Sequence, residues 1–201
     1  MVRVLLAEDI PMLRRALVSL LELEPDIEVV ADVGSGDAIL PTALQLRPDV
    51  AVLDIDLPGT DGIRAAAQLH EELSGCRTLI LTTLGRPGTL RRAMRAHASG
   101  FMLKDSPPDQ LAGAIRSVAV GEEVVDPQLA LDTLRAPDSP LGARETEVLL
   151  LASKGEDVPE IARRLYLSAG AVRGYLETGV TKLNARNRKD AVRVARDSGW
   201  L

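Results

Sequence analysis

Short apolar, β-branched runs alternate with stretches of helical period through the first two thirds of the chain. Val2–Ala7, Ile27–Val33, Val50–Leu53, Leu79–Leu81 and Phe101–Leu103 predict strands. They are continuously apolar, as in a sheet covered on both faces, rather than alternating. Between and after them, Met12–Leu23, Asp37–Leu46, Ile63–Leu73, Thr89–Ala96 and Gln110–Val120 carry apolar residues at helix spacing. Pro41 lies inside the second of these and predicts a late start or a kink there. The order is (βα)5, which implies a doubly wound parallel sheet with right-handed crossovers and a site at the carboxyl ends of the strands.

The last third has a different rhythm. Ala143–Lys154, Pro159–Leu165, Ala169–Leu183 and Arg188–Ser198 predict four short helices, the first closing at Gly155 and the last at Gly199. So short a chain buries little apolar surface and would be marginal alone. Leu131–Pro140, with two prolines and an Asp-Ser pair, reads as a linker between the two parts. The expected organisation is an α/β unit over 1–125, a linker over 126–140 and an all-α unit over 141–201.

Composition leaves this picture intact: 46% of the 201 residues are apolar and 26% charged, ordinary for globular domains. No apolar run approaches the ~18 residues of a membrane span and no basic-then-apolar leader opens the sequence, so a cytoplasmic protein is expected. A single cysteine, Cys76, excludes an internal disulfide framework and a cysteine-based zinc site. His70 and His97 have no metal-ligand spacing, and Trp200 is expected to pack the terminal helix.

Charge changes the picture more. The net −5 argues against nucleic acid until it is divided at Pro140. Residues 1–140 hold 13 basic and 21 acidic residues, a net −8, whereas residues 141–201 hold 11 and 8, a net +3. Opposite signs on the two parts imply different partners.

Candidate chemistry gathers at the predicted strand ends. Glu8 and Asp9 follow the first strand, Asp54 ends the third, Thr82 the fourth and Lys104 the fifth. A parallel sheet brings these ends together, so three carboxylates, a hydroxyl and an ammonium share one crevice. Crowded carboxylates repel one another unless a cation intervenes, and Mg²⁺, a hard cation, suits oxygen ligands. Such a metal would neutralise an incoming phosphoryl group while Thr82 and Lys104 hold its other oxygens. Lys104 is the only lysine before Lys154, a compact point charge in a chain that otherwise uses arginine.

Residues 1–125 resemble the receiver domain of bacterial two-component response regulators. The matching motifs are Leu6-Ala-Glu-Asp9, Val52-Leu-Asp-Ile-Asp-Leu-Pro-Gly59, Leu81-Thr82 and Gly100-Phe-Met-Leu-Lys104. The resemblance implies that Asp54 accepts a phosphoryl group from a sensor histidine kinase. It implies Mg²⁺ held by Glu8, Asp9, Asp54 and the Asp56 carbonyl, with Thr82 and Lys104 on the phosphoryl oxygens. Phe101 takes the family's aromatic switch position and would turn inward as Thr82 moves. Asp105 stands where the family usually has proline. Asp54-Ile-Asp56 also resembles haloacid-dehalogenase-type phosphatases, but those place their second acidic pair after the lysine. Here Glu8-Asp9 comes first, so no enzyme beyond aspartyl-phosphate chemistry is expected.

Residues 141–201 resemble the LuxR-type helix-turn-helix of NarL/FixJ-class regulators. The resemblance rests on Arg144-Glu-Thr-Glu-Val-Leu149, Glu160-Ile-Ala162, Leu165-Tyr-Leu-Ser168, Val172-Arg173 and Lys182-Leu-Asn-Ala-Arg-Asn-Arg188. Ser168 is expected to cap the helix from Ala169, with Arg173 one turn in and free to enter a major groove. Lys182, Arg186, Arg188 and Lys189 would meet phosphates. Gly142 removes a side-chain cap, and Gly170, Gly174 and Gly179 predict a weak recognition helix. Glu177, four residues after Arg173, would oppose phosphates unless it pairs with that arginine. Double-stranded promoter DNA, a phosphorylation-driven homodimer and RNA polymerase are the implied partners. Within the class, Leu79–Gly88, Lys104–Pro107 and Ser198–Trp200 look similar to regulators of membrane-lipid desaturation in bacilli.

Overall fold

A computed structural model of the chain describes residues 1–83, 85, 87–135 and 139–201. Leu84 and Arg86 of the Leu79–Gly88 stretch, and 136–138 of the expected linker, lie outside the described residues. The chain divides into two compact units, one built on Met1–Gly85 and Leu90–Ala130, the other on Leu131–Leu201.

The first unit holds a parallel sheet of β1 (Val2–Ala7), β2 (Ile27–Val33), β3 (Val50–Asp54), β4 (Arg77–Thr82), β5 (Gly100–Leu103) and β6 (Val124–Val125). Their order is β2-β1-β3-β4-β5-β6. The five expected strands are all present, and β6 is an addition to them. The helices are α1 (Pro11–Leu21), α2 (Ile39–Leu46), α3 (Gly62–Glu72), α4 (Pro87–Arg95) and α5 (Pro108–Ala119).

Alternate strand residues serve opposite faces, the period-2 consequence of the pleat. Leu5, Ala7, Leu53, Ile80 and Phe101 pack with Ile39 and Ala43 of α2, Ile63 and Leu69 of α3, and Leu90 and Ala93 of α4. Val4, Leu6, Val52, Leu79, Leu81 and Met102 pack with Leu21 of α1 and Leu111, Ile115 and Val118 of α5. Both faces being covered explains why the strands are apolar without alternation. Pro41 falls in the first turn of α2, after a 3₁₀ turn at Gly36–Ala38. The late start is the observed outcome, because a first-turn residue gives up no intrahelical N–H bond.

Residues 126–140 are not wholly irregular, as the linker reading had them. Pro127–Arg135 forms α6, and Leu129 joins the core of the first unit. Asp126 accepts the Leu129 amide at 2.8 Å and starts that helix.

The second unit contains α7 (Ala143–Ser153), α8 (Val158–Leu165), α9 (Ala169–Lys182) and α10 (Arg188–Asp197). Val148, Leu149, Leu151, Ile161, Ala162, Val172, Leu176, Leu183, Ala191 and Ala195 form its core, with Trp200 packed against it. Each helix start has a stated chemical cause. Asp157 and Glu160 form a reciprocal capping box on α8, each accepting the other's amide at 2.8 Å. Ser168 accepts the Ala171 amide at 3.1 Å, and Asn187 the Asp190 amide at 3.0 Å. At α7 the cap missing from Gly142 is partly replaced: Glu145 reaches back to accept the Gly142 amide at 2.6 Å.

Candidate functional site

The carboxyl ends of β1, β3 and β5 bring Glu8, Asp54 and Lys104 together. Lys104 Nζ lies 2.6 Å from Glu8 Oε2 and 3.0 Å from Asp54 Oδ2. Glu8 is 1% exposed and Asp54 5%. Burial alone would lower the Lys104 ammonium, but hydrogen bonds to Glu8 and Asp54, with their charges, outweigh it and hold it above the ordinary lysine value.

Carboxylate oxygens of Glu8, Asp9 and Asp54 all lie within 4.8 Å of one another. Three carboxylates against one ammonium leave a surplus of negative charge in a largely buried site. That surplus and the all-oxygen donor set fit a hard divalent cation. Asp56, two residues beyond Asp54, is exposed on the loop that borders this cluster.

The loop from β3 to α3 is pinned at several points. Asp54 Oδ1 accepts the Ile55 amide at 2.8 Å, and the Gly62 amide donates to the Ile55 carbonyl at 3.1 Å. A Cβ on Gly62 would stand 1.9 Å from the Asp54 carbonyl oxygen, so only glycine permits this close return of the chain. Asp37 Oδ1 accepts both the amide (3.0 Å) and the hydroxyl (2.7 Å) of Thr60. Arg14 donates to the Glu8 carbonyl at 2.7 Å and to Asp32 at 2.9 Å, fixing the end of β1. The sequence pattern did not single out Asp37 or Arg14. Both act through contacts across distant segments, and nothing in their local spacing signals it.

Thr82 is 3% exposed at the end of β4, and the Lys104 amide donates to its carbonyl at 2.8 Å. Phe101 is 1% exposed. The expected inward turn of its ring therefore finds the ring already inside, packed with the core beside α4. The Lys104–Asp105 bond is trans, like every other described peptide bond.

In the helical unit, Arg173 and Glu177 are exposed on α9. Among the described residues they form no ion pair with each other, contrary to the compensation considered from their spacing. The four cations expected to meet phosphates are not equivalent. Lys182 pairs with Glu145 at 2.8 Å and Arg186 with Asp190 at 3.1 Å. Arg188 is turned inward, donating to the carbonyls of Glu156 (2.6 Å) and Ala152 (3.4 Å) at the end of α7. Lys189 alone of the four is exposed with no hydrogen bond or ion pair among the described residues.

Gly179 is not a weak point of α9. A Cβ there would meet Leu149 Cδ1 at 2.9 Å, so it sets how closely α9 lies on α7. Gly174 has nothing within 4 Å of such a Cβ, consistent with the weakness read from the sequence. His70 and His97 stack at 4.0 Å between ring centroids, a pairing their separation in sequence did not reveal. Cys76 is buried, and desolvation, with the charge of Asp49, pushes its thiol up to about 12, so it stays protonated and inert. No helix among the described residues is long and apolar enough to cross a membrane.

Comparison with known proteins agrees with both halves of this geometry. Residues 4–116 match the response regulator receiver domain family, and residues 139–195 the luxR family of bacterial regulatory proteins. The chain is 41% identical over its full length, and over the full length of the relative, to the uncharacterized transcriptional regulatory protein YvfU of Bacillus subtilis. It is also 41% identical over the same full span to the transcriptional regulatory protein DesR of that organism. Among solved structures it is similar to the response regulator ChrA of a heme-sensing two-component system. That likeness has a TM-score of 0.59 and 33% identity, covering 100% of this chain and 98% of that one.

Proposed function

The chain belongs to the bacterial response regulators that join a receiver domain to a LuxR-type DNA-binding domain, and on that premise we propose that phosphorylation of Asp54 controls its binding to promoter DNA. The observation that carries this reading is Lys104, held within 3.0 Å of both Glu8 and Asp54 in a buried cluster with surplus negative charge. In this reading 1–125 is the phosphoacceptor domain, 126–140 the connection and 141–201 the DNA reader.

The chemistry is phosphoryl transfer from a sensor histidine kinase. An Asp54 carboxylate oxygen forms the new P–O bond as the donor's P–N bond breaks, and the product is an acyl phosphate on this chain. Positioning and charge stabilisation supply most of the catalysis. The Ile55 amide fixes Asp54 Oδ1, which orients the carboxylate. Lys104, paired with both Glu8 and Asp54 Oδ2, would pass from Asp54 Oδ2 to a phosphoryl oxygen without leaving Glu8. The Thr82 hydroxyl takes another oxygen. Glu8, Asp9, Asp54 and the Asp56 carbonyl would hold Mg²⁺, which supplies neutralisation of the phosphoryl charge.

Thr82 and Phe101 form the switch. With Phe101 already inward, phosphorylation acts by holding Thr82 against the phosphoryl group and locking an arrangement that the ring already occupies. A homodimer then places two α9 helices on half-sites about one helical turn apart. Ser168 and Arg173 face the DNA, and Lys189 meets phosphates directly. Lys182 and Arg186 do so only by leaving the largely buried carboxylates of Glu145 and Asp190, each 10% exposed, which makes their phosphate contacts costlier than that of Lys189. Arg188 serves by holding the end of α7. Promoters of membrane-lipid enzymes are a subsidiary proposal, and the equal identity to the two Bacillus subtilis relatives gives them no preference.

Mass spectrometry after treatment with acetyl phosphate and Mg²⁺ tests the acceptor. One added phosphoryl group is expected in the parent chain and none in Asp54→Ala. Full labelling of that variant would refute the assignment.

A further inference from the structure

The exposed face of α9 carries two free charges of opposite sign. Arg173 and Glu177 stand four residues apart and line one open cleft with Leu176, Val180, Thr181 and Arg188. Among the described residues, no hydrogen bond or ion pair engages either side chain. Thr178 and Thr181, on the same helix, are different: their hydroxyls donate to the carbonyls of Gly174 (2.9 Å) and Glu177 (3.0 Å). Their hydroxyl protons are spent within the helix. Gly174 adds no side chain between the charges, and the space above it is open.

Among the described residues, no hydrogen bond or ion pair calls for an acid at Glu177. Arg188 lines the same cleft but spends its guanidinium on the Glu156 and Ala152 carbonyls and forms no ion pair with Glu177, which sits in the middle of α9 away from the positive end of the helix dipole and faces the side that Arg173 presents to DNA. On that side a carboxylate repels phosphates, so it is disfavoured unless it reads a donor. The base-edge donor that a carboxylate accepts from in the major groove is the N4 amino group of cytosine.

We infer that Glu177 is a specificity-determining residue that reads cytosine, beside a guanine read by Arg173. This rests on the reading of α9 as the recognition helix. Four residues advance about 6 Å along a helix, so the two bases lie about two steps apart at 3.4 Å per step. The threonine methyl groups favour thymine methyl groups nearby.

Selection of bound duplexes from a randomised pool, using the full chain with and without acetyl phosphate and Mg²⁺, tests the inference. The parent should enrich a cytosine within about two base pairs of a guanine. Glu177→Gln should exchange that cytosine for adenine, the base a carboxamide pairs with. Glu177→Ala should lose discrimination at that one position by about 5- to 100-fold. Other positions should keep their preferences in both variants. If Glu177→Ala instead tightens binding to all sequences equally with no positional change, Glu177 only repels phosphates and the inference fails while DNA reading by α9 stands. If the parent enriches no sequence in either state, the reading of α9 fails and takes the inference with it.

Discussion

Replacing Lys104 by methionine keeps the side-chain stem and removes the one positive charge between Glu8 and Asp54. Both carboxylates are nearly closed to water, and the Lys104 side chain is 10% exposed. Breaking a buried pair by deleting one partner costs about 3–5 kcal/mol, because the charge left behind has no compensation. For a unit of this size that corresponds to a fall in Tm of about 10–20 °C. Calorimetry of the full chain in metal-free buffer measures it, following the transition of the receiver unit. The double variant Glu8→Gln with Lys104→Met should recover much of the loss, since it removes a charge from each side, and the cycle isolates the coupling. The pH dependence has a definite sign. Lys104 is held above its unfolded value, so its contribution is complete below about pH 10 and disappears only as pH rises through the raised folded value. The gap between parent and variant should therefore stay level from neutral pH to about 10. A loss below about 1 kcal/mol, the worth of an exposed ion pair, would refute the buried clamp.

Other substitutions address the remaining parts of the account. Gly62→Ala forces a Cβ against the Asp54 carbonyl, so phosphorylation should fail and the receiver transition should fall, read by mass spectrometry and calorimetry. Gly174→Ala fills open space in the interior of α9 and should stabilise the helical unit by about 0.8–1 kcal/mol, whereas Gly179→Ala meets Leu149 and should gain nothing. Glu145 is held below the ordinary carboxylate value first by Lys182 and then by the Gly142 amide. Its contribution is present above the unfolded value of about 4.5 and is lost as pH falls through the lowered folded value. The difference in Tm between the parent and Glu145→Gln should therefore vanish in acid; a difference that persists there would contradict the paired carboxylate.

Residue type and order were enough to read the carboxylate–lysine cluster. A parallel sheet brings its carboxyl ends together whatever the loops do, so Glu8, Asp9, Asp54 and Lys104 converge by topology alone. Phe101 was legible as a position but not as a state, because its rotamer depends on the packing around β5. In the second unit the helices were legible within a residue or two, while the fate of single cations was not. Arg188 looks like a phosphate ligand in sequence, yet it closes the end of α7 more than thirty residues away. Likewise Gly179 counts against a helix by propensity, and only the approach of Leu149 gives its absent side chain a purpose. The prolines near 137–140 outweighed the helical period of Pro127–Arg135, and the Asp126 cap that starts that helix was overlooked.

The division of charge between the two units gives a reader with few free cations. Among the described residues of the second unit, Lys154, Arg163, Arg173, Lys189 and Arg196 are exposed without an ion-pair partner, and Arg196 is hydrogen-bonded to Ser153. With so few free cations, the proposed phosphorylated homodimer is expected to bind duplex more tightly than the monomer. The decisive measurement is the affinity of the full chain for its selected duplex, by fluorescence anisotropy at fixed salt, before and after acetyl phosphate and Mg²⁺. The account expects tightening of about 5- to 150-fold in the parent and no response in Asp54→Ala. Equal affinity before and after phosphorylation of the parent would contradict it.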